Sequence, residues 1–255
     1  MSWSIFWIFA ICAMIFWYAG ALCGIFSHRR RMAIVLTSTG VTIFGVFIIG
    51  YWITIACPPL RTMGETRLWY SFFMSIAGLL TYCRWKFKWI LSFSAVLSSV
   101  FALINIFRPE IHSQVLMPAL QSIWFIPHVT IYMFSYALLG CATVVAVMGL
   151  FRKESYLQSI DRLVTIGLSL FAVGMLLGAI WAKQAWGDFW TWDIKETWAL
   201  VTFMLFGLYL HLRKMCCIKD FWLYILILIS FAALQICWWG VNYLPWAAGS
   251  VHVYS

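Results

Sequence analysis

The feature that most constrains this chain is a succession of long apolar runs. They lie at about 3–27, 32–56, 66–83, 88–107, 122–151, 162–182, 198–215 and 221–240, with short connections between them. Crossing the hydrocarbon core of a bilayer takes roughly 20 mostly apolar residues in a helix. The expectation is an all-α integral membrane protein of about eight transmembrane helices, the fifth long enough to tilt. Composition agrees, with 10% charged residues against about 25% in soluble domains. The first run, Trp3 to Phe26, lacks the basic start and the small-residue end of a signal peptide, and reads as a retained helix.

The net charge of +9 does not point to nucleic acid, because the basic residues sit in short clusters between apolar runs. One set of connections holds Arg29, Arg30, Arg31, Arg84, Lys86, Lys88, Arg152, Lys153, Arg162, Arg213, Lys214 and Lys219, which is 12 of the 17 Lys and Arg; the other set holds Arg61, Arg67, Arg108, Lys183 and Lys195. The richer side is expected to be cytoplasmic. Both termini then face outward, as does the connection between spans six and seven. The eight cysteines show no C-x-x-C spacing, so neither a zinc site nor a thiol–disulfide pair is signalled.

That sixth connection is the most unusual stretch: W-G-D-F-W-T-W-D-I-K-E-T-W-A-L, Trp186 to Leu200. Scattered indoles would be an aromatic belt at the interface. Regularly placed indoles that tolerate Asp188, Asp193, Lys195 and Glu196 among them suggest a surface built to bind something large, flat and amphipathic. Read as a helix, Trp186, Phe189, Trp190 and Asp193 share one face, and Gly187 permits close approach. Of the five histidines, His28 and His112 fall in polar connections and read as solvated. His128, near the outer end of the fifth span, and His252, just beyond the last, fall on the same membrane face as the tryptophans. Two imidazoles flanking an aromatic platform suit a planar iron porphyrin. His211 lies near the inner end of the seventh span, where an ionisable residue is a functional candidate, although it also lies close enough to Arg213 to reach the interface.

The segment W-G-D-F-W-T-W-D-I-K-E-T-W-A-L resembles the tryptophan-rich WWD signature of haem-handling membrane proteins. Its W-D-x-K-E-T-W run, with P-A-L-Q-S-I-W-F-I-P-H-V-T around His128, Y-L-H-L-R around His211 and G-V-N-Y-L-P-W-A-A-G-S-V-H-V-Y-S around His252, is similar to the CcsA (ResC) family of system II cytochrome c maturation. The likeness covers roughly residues 57–255, which divides the chain into two generic spans, 1–60, and a haem-handling core, 61–255, that includes the WWD segment 186–200. The tail departs from the family's usual ending, with Val253 where Ser is common.

The resemblance implies a haem-binding site on the outer face of a bacterial inner membrane. His128 and His252 would be axial ligands of the iron of haem b. Trp186, Trp190, Trp192, Trp198 and Asp193 would form the haem-facing platform, and His211 would help receive haem from inside. Lys183 or Lys195 is a candidate, on charge alone, for the propionates. The implied activity is cytochrome c synthase (haem lyase) chemistry on the C-x-x-C-H segment of an apocytochrome c, performed with a ResB-like membrane subunit that supplies a further intramembrane ligand. Three alternatives stay open: CcmC-like haem delivery to a carrier, a haem transporter, and a structural subunit that anchors a partner.

Overall fold

The computed structural model describes residues 1–26, 30–108, 122–152, 154–215 and 218–243. Among these the regular structure is entirely helical, with eight α-helices: α1 Phe6–Phe26, α2 Arg30–Ile55, α3 Met63–Trp85, α4 Ile90–Phe107, α5 Phe125–Phe151, α6 Leu157–Trp186, α7 Ile194–Lys214 and α8 Asp220–Trp238. Each expected run corresponds to one helix. Six of them, all but α3 and α7, are long and apolar enough to cross a membrane. Charged or ionisable residues on the other two are Glu65, Arg67 and Arg84 on α3, and Lys195, Glu196, His211, Arg213 and Lys214 on α7.

The longest helix is α6 with 30 residues, where the apolar pattern marks only 162–182; α5 has 27. At 1.5 Å per residue α6 is about 45 Å long, against a hydrocarbon core of about 30 Å. Its extra turns are polar ends that hydropathy misses. At the first end Asp161 accepts hydrogen bonds from Arg213 Nε (2.9 Å), Arg213 Nη2 (2.8 Å) and the Tyr209 hydroxyl (2.6 Å). Tyr209 is fully buried, so this carboxylate joins the start of α6 to the end of α7. Asp161→Asn is expected to lower the thermal midpoint of the purified protein, with a loss of about 1 kcal/mol, since charge-assisted bonds contribute more than neutral ones but this pair is partly solvated.

The helices form two compact units, Met1–Leu120 and Gln121–Ser255. In the first, α1 packs on α2 and α4, and α3 on α2 and α4. Its core gathers Phe6, Ala10, Ala13, Trp17, Phe44 and Phe47 around a tight aromatic cluster. Lipid is as apolar as leucine, so helices in a membrane associate through close packing at small residues rather than through hydrophobic expulsion. Gly40 shows this: a Cβ there would fall 2.7 Å from the Trp17 ring. One end of the unit holds Glu65, buried, which closes a capping box with Thr62 at the start of α3 and lies 3.4 Å from the Tyr51 hydroxyl.

In the second unit α5 is the most enclosed helix, packed on α6 and α8, while α7 lies on α8 and α6. The α5–α6 contact again depends on small residues. The Ser135 hydroxyl donates to the Gly167 carbonyl at 2.7 Å, and Gly174 faces the Tyr132 ring, 2.6 Å from where its Cβ would be.

Candidate functional site

The end of α6 and the start of α5 come together in the second unit. The Ser122 hydroxyl bonds the Gln184 side-chain oxygen at 2.6 Å, and the rings of Phe125 and Trp181 lie 5.1 Å apart. This places His128, in the first turns of α5, against α6. Its imidazole occupies the hollow left by Gly178, one turn beyond Gly174 on the same face of α6. Nδ1 lies 2.8 Å from the Gly174 carbonyl oxygen. A carbonyl only accepts, so Nδ1 carries the hydrogen and the lone pair of the neutral ring is on Nε2. Ligating histidines are typically set in this way, with the second ring nitrogen donating to a backbone carbonyl.

The imidazole is fixed on its faces as well. It stacks on Trp181 at 5.6 Å and 23° and meets Tyr132 edge-on at 4.7 Å. Trp181, buried, meets Trp186 edge-on at 4.7 Å. An aromatic line thus runs from His128 through Trp181 to the first tryptophan of the WWD-like segment. Trp181, Gly174 and Gly178 are absent from the set expected from sequence. The signal was present, since residues 174, 178 and 181 fall on one helical face and G-x-x-x-G marks close helix approach.

Trp186 to Asp193 is not one continuous helix, and the shared face expected for Trp186, Phe189, Trp190 and Asp193 does not form. α6 stops at Trp186 because Gly187 takes a left-handed conformation (φ 96°), its N–H bonded to the Lys183 carbonyl at 3.1 Å. Glycine serves here as a helix C-cap; nothing approaches within 4 Å of where its Cβ would be, so close approach is not its role. Lys183 turns its ammonium back onto the Gly187 carbonyl, 2.5 Å away, and over the Phe189 ring at 5.4 Å. The chain then runs irregularly to Asp193.

The acidic residues explain the restart. Asp193 is the N-cap of α7: its side chain accepts from the Lys195 N–H at 2.9 Å, while Glu196 Oε2 accepts from the N–H of Asp193 at 3.1 Å. This is a capping box, a D-x-x-E version of the usual S/T-x-x-E. Glu196 does more, since the same oxygen takes the Thr191 N–H at 2.8 Å. It thereby ties the irregular segment to the helix that follows. Between these anchors Trp192 is held at φ 59°, unusual for so bulky a residue. Trp192 and Phe189 stand well out of the protein, 67% and 57% exposed. Trp190 meets Trp192 edge-on at 5.8 Å, and its indole N–H is buried without a hydrogen-bond partner.

Trp198 lies half-buried in α7, its carbonyl taking the Thr202 hydroxyl at 2.8 Å. Lys195 precedes the apolar stretch of that helix. Burial pushes its ammonium below the ordinary lysine range, while Cys237 and Asp193 pull the other way. Lys195 is thus half-buried, whereas Lys183 is exposed and bonded to the turn. His211 is exposed in the last turn of α7, about 25 Å along the helix from its start; the structure does not bring it to His128. His252, His28 and His112 lie outside the described residues. Among the described residues no cluster of three His, Cys, Asp or Glu side chains forms a metal cage.

Fold and site together define a multi-pass helical membrane protein with an oriented histidine beside an exposed aromatic turn. The cytochrome C assembly protein family matches residues 5–247, so the match takes in the first two spans, which are generic as sequences. Similar curated proteins are the cytochrome c biogenesis proteins CcsA of Solanum tuberosum (32% identical over 80% of this chain and 80% of that one), Atropa belladonna (31%, 80% and 80%) and Nymphaea alba (30%, 77% and 78%). The chain belongs to the cytochrome c assembly protein family and is of the CcsA type. Its role therefore lies in cytochrome c maturation, a process that joins haem to an apocytochrome c.

Proposed function

We propose that the chain binds haem b at the Trp186–Leu200 segment and presents it for covalent attachment to an apocytochrome c, in a complex with a ResB-like membrane subunit. The observation that carries this reading is the orientation of His128, whose Nδ1–H is engaged by Gly174 while Trp181 links its ring to the tryptophan segment. His128 ligates the iron on one side and His252 on the other. Trp186, Trp190, Trp192 and Trp198 take the apolar faces of the ring. Asp193 acts by capping α7, which holds those aromatics in place. His211, at the far end of α7, belongs to haem entry rather than to the ligand sphere.

The attachment itself needs positioning more than acid–base chemistry. Each cysteine thiol adds across one vinyl group: a carbon–sulfur bond forms, the thiol hydrogen passes to the other vinyl carbon, and no oxidant or reductant enters the balance. The chain's residues hold the macrocycle, fix the iron and keep the vinyl edge accessible to the C-x-x-C-H segment. The membrane is a bacterial cytoplasmic membrane with the tryptophan segment outward, an orientation supported by the 12 Lys and Arg clustered on the opposite side.

The test is expression with the ResB-like partner and a c-type apocytochrome in cells lacking their own maturation system. The expected result is a red complex with a low-spin bis-histidine spectrum and cytochrome carrying thioether-bound haem. A colourless complex from haem-replete cells would sink the reading. Bound haem that leaves only for a carrier protein would favour delivery instead of attachment.

A further inference from the structure

Residues Arg84 to Trp89 read R-W-K-F-K-W, cation and ring in strict alternation across the turn from α3 to α4. Lys86 caps α3 in a left-handed conformation (φ 62°). The turn leaves Arg84, Lys86 and Lys88 exposed and sinks Trp85, Phe87 and Trp89 halfway into the protein. The rings are ordered. Phe87 and Trp89 stack in parallel at 5.5 Å and 6°, Trp89 meets Phe93 at right angles, and the Arg84 guanidinium lies 5.7 Å from the Trp85 ring centre. Arg30, at the start of α2, donates to the Cys83 carbonyl at 2.6 Å, and the exposed Arg31 follows it in the chain. Five cations thus gather at one end of the unit. The acidic residue among the described part of that unit, Glu65, caps the start of α3, at the other end of that helix.

We propose that this end of the unit is a binding site for anionic phospholipid headgroups. Arg84, Lys86 and Lys88 take the phosphate groups, and Trp85, Phe87 and Trp89 lie at the boundary between headgroup and acyl chain. An excess of positive charge is enough to orient a helix and needs no lipid contact. The alternation with half-sunk rings is a further device: aromatic side chains settle at the headgroup level, where each neighbouring cation gains about 1 kcal/mol from an anionic surface. A soluble anion would engage the cations and leave the rings without a role, and the apolar helices on both sides already hold the turn at a membrane surface.

The full chain in neutral detergent, mixed with equal amounts of phosphatidylglycerol and phosphatidylcholine, tests this by native mass spectrometry of retained lipid. The wild type is expected to retain phosphatidylglycerol preferentially, and the preference should fall as salt rises toward about 1 M, where the screening length is about 3 Å. Arg84→Gln/Lys86→Gln/Lys88→Gln is expected to lose the preference, on the order of fivefold per cation removed. Arg152→Gln/Arg162→Gln/Lys219→Gln, which removes three cations elsewhere, should keep it. Equal loss in both triple variants would overturn the proposal. So would the absence of any preference in the wild type, or displacement of the lipid by millimolar inorganic phosphate. Should the first triple variant fail to fold, a salt-insensitive wild-type preference overturns it as well.

Discussion

Gly178→Ala is expected to weaken the bound-haem spectrum in the same direction as His128→Ala, without touching a ligand. The added Cβ would lie 2.6 Å from His128 Cε1 and 2.7 Å from Nδ1, closer than packed atoms stand. The imidazole has nowhere to yield, because Nδ1 is bonded to the Gly174 carbonyl and Trp181 covers one face. It must leave its hollow, breaking that bond and losing the orientation of Nε2. Overpacking of this kind costs about 1–3 kcal/mol, so the variant should remain folded by circular dichroism while haem affinity falls on the order of fivefold or more. Gly207→Ala is the matched control, since nothing lies within 4 Å of its Cβ position. A normal spectrum in Gly178→Ala would mean that the iron does not depend on His128 as placed here.

Glu196 is expected to show the second large effect, and its variants separate two roles for the acidic residues. Glu196→Ala strips the acceptor from the N–H groups of Thr191 and Asp193 at once. An unmade bond to a partly buried backbone donor costs about 1–3 kcal/mol, so the turn carrying Trp190 and Trp192 should loosen and become open to protease. Haem affinity should fall with it, on the order of tenfold or more. Glu196→Gln and Asp193→Asn keep an acceptor oxygen in the capping box and are expected to stay within about twofold of wild type. If the neutral amides lose haem as badly as alanine, the carboxylates act through their charge on the ligand and not through the cap.

These two residues show where the sequence was readable and where it was not. Eight apolar runs predict eight helices because a helix in lipid is a local solution: each residue's backbone partner is four positions away, and the period of apolarity is enough to find it. The D-x-x-E box and the glycine ahead of it are equally local signals, and they mark the helix break within 186–196. The crowd of indoles at helical spacing masks that break by mimicking a continuous aromatic face. The polar ends of α6 were missed for a different reason: Asp161 is tolerable in the helix because Arg213 and Tyr209, 52 and 48 residues away, meet it.

The sequence by itself determined the solvent, the helical class, the number of apolar runs and the family, because each of these rests on local composition or on a contiguous motif. It also singled out His128 as a residue of interest. Only the tertiary structure decided what makes that histidine competent. The hydrogen that sets its tautomer comes to rest on Gly174, 46 residues away, and the ring that stacks on it is Trp181. Such pairings depend on how two helices dock. Docking in a membrane is set by the shapes of small residues facing each other, which hydropathy along one strand of sequence does not record.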